Sequence, residues 1–333
     1  MIADRKLRQM SIAGALLGLL VLGGFAQAQT QPYPSNTIRI VAPSSAGGLP
    51  DVLSRIIANE LAEAEGWRIV IENRTGALGT TAMAEVLKQP ADGYSIFSMP
   101  GGVMATPALL PTMSIRLDAD FAPVVRVSTS YVALVVTPSL PVKSIAELVA
   151  LLRSLPDKFN LSVGQLGTPS HLLAEVFKLQ TGVRATIVPY QHQQQRIADL
   201  LAGTTHISFY NTPGVVSLVA AGRLRALAVT APKRITAMEN IPTVAEQGFP
   251  DLAVAGEDWM GFVVRSGTPN DVVTRLNQSV NKALTKQSVG DALARLGAEP
   301  IGGTPAELGG LIKAQLVYWK SIVTRAGIKV PGP

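Results

Sequence analysis

Short apolar runs alternate with amphipathic helical runs from residue 38 to residue 326. The apolar runs are rich in Val and Ile and nearly continuous, which is typical of strands buried on both faces. Each run is followed by a stretch with the period of a helix, and this alternation predicts βαβ units with parallel sheets. We therefore expect an α/β fold.

This alternation predicts a strand or a helix for most of the chain. The predicted strands are Ile38–Ala42, Arg68–Ile71, Ser95–Met99, Val132–Val136, Ile187–Val188, Ile207–Phe209, Leu224–Val229 and Gly261–Val264. The predicted helices are Pro50–Ala64, Gly79–Lys88, Ile145–Ser154, Pro169–Gln180, Gln194–Ala202, Val215–Ala221, Pro269–Lys286, Gln287–Leu296 and Pro305–Ala326. With 333 residues, 47% of them apolar, the chain has enough material for about two domains, each with its own core.

Residues 1–28 have the pattern of a secretory signal peptide. Three basic residues precede an uncharged run rich in Leu, Gly and Ala, and a small-x-small cleavage motif ends at Ala28. The apolar run, of about 15 residues, is shorter than the roughly 20 that span a bilayer, which disfavours an uncleaved anchor. We expect an exported chain that is cleaved near Ala28.

Composition excludes several classes of function. The net charge is +6, and removing the three basic residues and one acid of the leader leaves +4, with no basic stripe of the kind that nucleic acid requires. There is no cysteine and there are three histidines, so we expect no thiol chemistry, no metal site and no cofactor. The nucleophile and zinc motifs G-x-S-x-G and H-E-x-x-H are absent, so no catalytic residue is predicted and the chain is not expected to be an enzyme.

The first strand-to-helix junction is the most informative turn. Small residues fill 43–48, and Pro50 occupies the favoured first turn of the next helix. In open α/β sheets ligands bind at this end of the strands. Free amides of Gly47, Gly48 and the first helical turn would make an anion site, although a bare connecting turn explains the pattern equally well. Asp51 either contacts the ligand or compensates the helix dipole and braces the loop.

Similar glycine-rich turns recur at 73–79, 99–102 and 164–171. In the last of these, Thr168 and Pro169 have the residue types of a helix N-cap and first position. Four such turns predict helix N-termini that converge on one cleft. His171 fits a capping or packing histidine better than a general base. Trp259, close to a glycine at a strand start, either packs in the core or walls the cleft.

The motifs that carry a family resemblance span nearly the whole chain after the leader. They are Tyr33–Ser35, Pro43, Gly47, Gly48, Asp51, Glu72–Arg74, Gly76, Gly79, Asp92–Tyr94, Pro169–His171, Val188–Tyr190, Asp199–Gly203, Phe209, Asn211, Gly222–Thr230, Pro242–Glu246, Gly267–Pro269, Leu296–Ala298 and Gly303–Pro305. In this order and spacing they resemble the Bug-type extracytoplasmic substrate-binding proteins of tripartite tricarboxylate transporters.

The resemblance implies a two-lobe periplasmic binding protein (Venus-flytrap) fold with two crossovers. Lobe 1 would comprise 29–128 and 254–333, and lobe 2 would comprise 129–253. The function implied is capture of a small carboxylate in the periplasm and its delivery to integral membrane permease subunits, by a protein we expect to be a monomer. A partner of a membrane sensor and an exported enzyme are the alternatives.

The resemblance also implies which residues hold the ligand. A ligand carboxylate would sit in the first turn, and the opposing lobe would contribute its own turn, the Tyr190 region and Asn211. With the third turn and Trp259 added, the predicted contacts are Ser44, Ser45, Ala46, Gly47, Gly48, Asp51, Gly101, Gly102, Gly167, Thr168, Ser170, His171, Tyr190, Gln191, Asn211 and Trp259.

Several positions depart from the usual pattern of this family. Gln191 and His192 stand where Lys and Gly are usual, and Tyr210 replaces an acid often found before Asn211. Lobe 2 would thus lack a charge pair. We therefore expect an aromatic or otherwise less polar monocarboxylate, with Tyr190, Tyr210, Met104 and Trp259 against its body.

Overall fold

The computed structural model describes residues 33–164 and 166–330, so the predicted leader lies outside the described residues. The strands are β1 (Ile38–Ala42), β2 (Ile69–Asn73), β3 (Ser95–Pro100), β4 (Phe121–Val136), β5 (Asn160–Val163), β6 (Thr186–Pro189), β7 (Ile207–Asn211), β8 (Arg225–Val229), β9 (Glu257–Arg265) and β10 (Ala298–Gly302). The helices are α1 (Leu49–Glu65), α2 (Thr80–Leu87), α3 (Thr106–Leu109), α4 (Ile145–Ser154), α5 (Pro169–Thr181), α6 (Gln193–Ala202), α7 (Val216–Ala220), α8 (Pro250–Ala255), α9 (Asn270–Leu284), α10 (Gln287–Arg295) and α11 (Pro305–Ala326).

One long strand, β4, belongs to both halves of the sheet. The strand order is β2-β1-β3-β9-β4-β7-β5-β6, and β8 and β10 also pair with β4. Up to Tyr131, β4 pairs with β9 and β10, whereas from Val132 onward it pairs with β7 and β8. The chain therefore passes between the halves inside β4. It returns at Gly256, because α8 packs on α5 while β9 lies beside β3.

The sheet is mixed, so the prediction of parallel sheets is wrong at its centre. β1 is parallel to β2 and β3, and β5 is parallel to β6 and β7. β4 and β9, in contrast, are antiparallel to their neighbours. The reason is that these two strands carry the chain between the halves and do not belong to βαβ units.

Strand β4 shows where prediction from the sequence pattern failed. The predicted strand Val132–Val136 is the last part of the 16-residue β4. In its earlier part the ladder is irregular near Pro123 and Arg126, and polar residues 128–130 interrupt the apolar run. β5 and β10 were not predicted. The helices Ile145–Ser154 and Pro305–Ala326 agree at both ends with their predictions.

The helices place the turns around the cleft. α1 buries Leu53, Ile57 and Leu61, an apolar face spaced as a helix requires. α11 begins with a capping box formed by Thr304 and Glu307 and packs on β4, α3 and α5. No helix in the described ranges has the length and apolar character needed to cross a membrane.

Candidate functional site

A cavity of about 850 Å³ lies where the two halves of the sheet meet. All four glycine-rich turns reach its wall, as their repetition predicted. Of the predicted ligand contacts, the wall includes Ser44, Ser45, Gly47, Gly48, Gly102, Gly167, Thr168, Ser170, Tyr190, Gln191, Asn211 and Trp259. Ala46, Asp51, Gly101 and His171 lie outside the wall.

The first turn is closed by its own hydrogen bonds. The Gly47 amide donates to Asp51 Oδ2 at 2.9 Å, and the Gly48 amide donates to the Ser45 carbonyl at 3.0 Å. The expectation that these two amides are free is therefore wrong, because the tight turn engages them. Gly47 has φ +80°, which a glycine adopts without strain. In the part of the chain that is described, the Leu49 amide at the start of α1 has no acceptor.

Asp51 braces this turn from behind. Its carboxylate is 2% exposed and accepts hydrogen bonds from Gly47, Arg55 and Asn73. Burial alone would raise its pKa, but the hydrogen bonds from Arg55, Gly47 and Asn73 outweigh burial and hold the pKa below its usual value. Of the two roles left open for Asp51, loop bracing is the one that its contacts support.

The turn before α5 is braced in a similar way by a histidine. The Gly167 amide donates to His171 Nδ1 at 3.0 Å, and the imidazole is 4% exposed. Burial lowers the pKa of His171, so the ring is neutral and its Nδ1 is free to accept. These contacts support the packing role. Ser170 Oγ accepts from the Gly164 amide at 2.9 Å and stands on the cavity wall.

Trp259 both packs and forms part of the wall. It is 1% exposed, and a Cβ atom on Gly101 would lie 2.7 Å from its indole Nε1, so Gly101 leaves space for the ring. Within the described residues, Trp259 Nε1 and Ser44 Oγ are buried and have no hydrogen-bond partner. Buried polar atoms are nearly always satisfied, so these two donors on one cavity wall are free to bind a water molecule or a ligand.

The second half contributes aromatic side chains. Tyr190 donates its hydroxyl hydrogen to Asp199 at 2.6 Å, and burial together with this carboxylate raises the pKa of Tyr190 to about 12. The ring of Tyr210 lies against a guanidinium group, with 4.6 Å from its centroid to Cζ of Arg196. Met104, expected beside the ligand body, is 1% exposed and lies in the core, outside the wall.

Sequence reasoning missed the two charged residues of the wall, Arg196 and Asp258. Arg196 is 3% exposed, and burial lowers its pKa to about 10. Asp258 is half-buried, and burial raises its pKa to about 6. A signal for Arg196 was present, since it lies three residues after Gln193 on α6, one turn away on the same face, and both side chains reach the wall. No spacing pattern marks Asp258.

Comparison with known proteins identifies the family of the chain that forms this cavity. Residues 53–328 match the model of the tripartite tricarboxylate transporter family receptor. The chain belongs to that family. Protein BugT of Bordetella pertussis is 30% identical over 320 residues, which cover 95% of this chain and 98% of BugT. The expected resemblance is confirmed.

Solved structures of receptor-family relatives have the same fold. R. palustris Rpa4515 with adipate is 37% identical, with a TM-score of 0.77, and the match covers 89% of this chain and 99% of that one. MatC from Rhodopseudomonas palustris with bound malate is 28% identical, with a TM-score of 0.74 over 87% of this chain and 100% of that one. The expected two-lobe α/β binding-protein fold is therefore confirmed.

Proposed function

We propose that this receptor captures a small carboxylate in the periplasm, as a monomer, and delivers it to integral membrane permease subunits of a tripartite transporter. It binds without turnover. The family and the adipate and malate of its structural relatives support the ligand class. The leader pattern of residues 1–28 supports export and cleavage near Ala28.

The observation that carries the proposal is the pair of unpartnered buried atoms, Ser44 Oγ and Trp259 Nε1, on one cavity wall. Both can donate a hydrogen bond, and a carboxylate oxygen accepts several. Among the described residues, the amides of Leu49 and Ser170 also lack acceptors, and both residues lie on the wall. The N-termini of α1 and α5, which carry these amides, add partial positive charge.

The free energy of the available hydrogen bonds is sufficient for capture of a carboxylate. A micromolar site requires about −8 kcal/mol. Hydrogen bonds to a charged group contribute roughly 1.5–3 kcal/mol each, so these four donors supply about 6–12 kcal/mol before the entropy of ordering is subtracted. No metal is required for this affinity.

Capture involves closure of two lobes, for which we keep the boundaries 29–128 with 254–333 and 129–253. The change of partners along β4 at Tyr131 and the return at Gly256 support this division. Thr230 joins the two crossings, because its Oγ1 donates to the Gly256 carbonyl at 2.9 Å and accepts from the Val132 amide at 3.1 Å. A ligand that contacts both lobes favours the closed state.

The body of the ligand meets apolar and aromatic side chains. Tyr190, Tyr210 and Trp259 on the wall support an aromatic or other apolar body, as the sequence predicted. The prediction that the ligand has a single carboxylate rests on the missing acid and lysine of the second half, and Arg196 on the wall weighs against it.

Calorimetric titration of the purified chain with short-chain and aromatic carboxylic acids tests the proposal. We expect saturable one-to-one binding and no product over hours. Ser44→Ala should weaken binding by about tenfold or more, because one hydrogen bond to a charged oxygen is lost. Ser54→Ala is the control, since Ser54 Oγ bonds Ser98 outside the wall and its loss should leave affinity unchanged. The proposal fails if no acid binds or if turnover is observed.

A further inference from the structure

Arg196 is a buried cation that has no anionic partner within residues 33–164 and 166–330. Its Nη2 donates to the Ser162 carbonyl at 3.2 Å, and to Ser208 Oγ and the Phe209 carbonyl at 2.6 Å each. Its Nη1 donates to Gln193 at 3.3 Å. Its Nε is buried and has no acceptor, and no carboxylate of the described residues forms an ion pair with the group.

Such an arrangement is unusual for a protein interior. Buried charges are nearly always paired, since hydrogen bonds to neutral groups offset only part of the cost of desolvation. With its pKa at about 10, Arg196 stays protonated at neutral pH despite being 3% exposed. The nearby acid Asp199 is engaged by the hydroxyl of Tyr190 and the amide of Gln195. The described residues therefore provide no counter-ion for Arg196.

The guanidinium is held in place and reaches the cavity. The ring of Tyr210 lies 4.6 Å from its Cζ, and four neutral acceptors hold Nη1 and Nη2. Arg196, on α6, is hydrogen-bonded to β5 and β7 of the second half of the sheet, whereas the first turn with Ser44 belongs to the first half, and both line one cavity. A rigid, unpaired guanidinium at this place matches a carboxylate.

We propose that Arg196 binds a second acidic group of the ligand, so that this receptor selects dicarboxylates over monocarboxylates of the same size. The inference rests on the proposed function: one carboxylate lies at the first turn and Arg196 receives the other. It leaves open whether the body between them is aliphatic or aromatic, and it replaces the expectation of a monocarboxylate.

Two matched pairs of acids test the inference on the unmodified chain by calorimetry: hexanoate against adipate, and 4-methylbenzoate against terephthalate. Within a pair the acids differ by one carboxylate. We expect the diacid to bind at least about tenfold more tightly than its monoacid in at least one pair, because a charge-assisted contact is gained. Equal affinities within both pairs would overturn the inference while leaving the proposed function intact, whereas binding of none of the acids would overturn both.

Variants separate a ligand contact from a structural role. Arg196→Met should bring the diacid-to-monoacid affinity ratio close to one, and Arg196→Lys should recover part of it. Arg225→Met is the matched control: Arg225 also donates to two backbone carbonyls, of Leu140 at 2.7 Å and Val142 at 3.0 Å, but lies outside the wall. The diacid-to-monoacid affinity ratio of Arg225→Met should equal that of the unmodified chain. A ratio unchanged in Arg196→Met, or changed equally in Arg225→Met, contradicts the inference.

Discussion

At the scale of single residues, polar groups that are satisfied within the chain lie behind the cavity wall, and unsatisfied ones stand on it. Asp51 and His171 lie outside the wall, and each accepts a hydrogen bond from the amide of a glycine in its own turn. Ser44 and Trp259 line the wall, and each keeps one buried atom without a partner among the described residues. The first pair makes the turns rigid, and the second pair is available for a ligand. Polar residues near a motif thus either brace a turn or stay free for a ligand, and the sequence alone does not distinguish the two roles.

We expect Asp258 to make the affinity for an anionic ligand depend on pH. Its pKa of about 6 means that it ionises as the pH rises from 5.5 to 7.5 and then repels an anionic ligand on the same wall. We expect the dissociation constant of an acid to rise over this range by about three- to thirtyfold, which is a repulsion of about 1–2 kcal/mol. Calorimetry at several pH values should show this rise and its absence in Asp258→Asn.

The raised pKa of Asp258 also predicts how the stability of the fold changes with pH. A carboxyl whose pKa is raised in the folded state adds stability below its ordinary value, near pH 4, and loses it as the pH rises towards 6. Asp291, exposed on α10, provides the control, since Asp291→Asn should change neither dependence. An affinity that stays constant with pH in the unmodified chain would contradict the role of Asp258.

At the scale of elements, turns from opposite halves touch across the cavity. A Cβ on Gly167 would lie 2.7 Å from Leu78 Cδ2, and one on Gly102 would lie 3.0 Å from Pro169. Glycine at these positions lets the turn before α5 approach the turns after β2 and β3. The turns are therefore shaped by their neighbours across the cavity as well as by their own helices.

Gly167→Ala should weaken ligand binding by about tenfold or more, because its methyl group pushes the turn away from Leu78. Gly182→Ala is a matched control at the other end of α5: both glycines have positive φ, +85° and +66°, but a Cβ on Gly182 meets nothing within 4 Å. The control should lose about 1 kcal/mol of stability and no affinity. Calorimetry and thermal unfolding measure both, and equal affinity losses would contradict the contact.

Predictions from sequence succeeded for elements with strong local signals. β1 and α11 agree with their predicted bounds, because an apolar run and a capping box are local features. β4 was mostly missed, because its first part pairs with β9 and β10, which come far later in the chain. Arg196 was missed for the same reason: its place on the wall depends on β7 and on Tyr210.

At the scale of the whole molecule, the chain crosses twice between its halves, and Thr230 fastens the two crossings together. If the proposed closure occurs, two crossings should confine it to bending about an axis through both. A Cβ on Gly256 would overlap Thr230 Cγ2, so the residues that join the crossings are closely packed. Under the proposal, closure brings the first turn and Arg196 towards each other.

Small-angle X-ray scattering tests this motion. We expect the radius of gyration to fall when the tightest-binding acid of the panel is added at saturation, because the closed state is favoured by contacts to both lobes. Ligand at 100 times its dissociation constant should also add about 2.7 kcal/mol of stability. An acid that does not bind is the control, and an unchanged radius at saturation would show that capture occurs without closure.

The sequence by itself determined the family, most of the strands and helices, and the four glycine turns, because each of these leaves short local patterns of residues in the chain. Tertiary structure decided which donors stay free. It paired the amides of Gly47 and Gly48 within their turn, left Ser44 Oγ and Trp259 Nε1 without a partner among the described residues, and placed Arg196 on the wall of the same cavity as the first turn. The physical reason is that hydrogen-bond satisfaction and burial are set by neighbours that are distant in sequence.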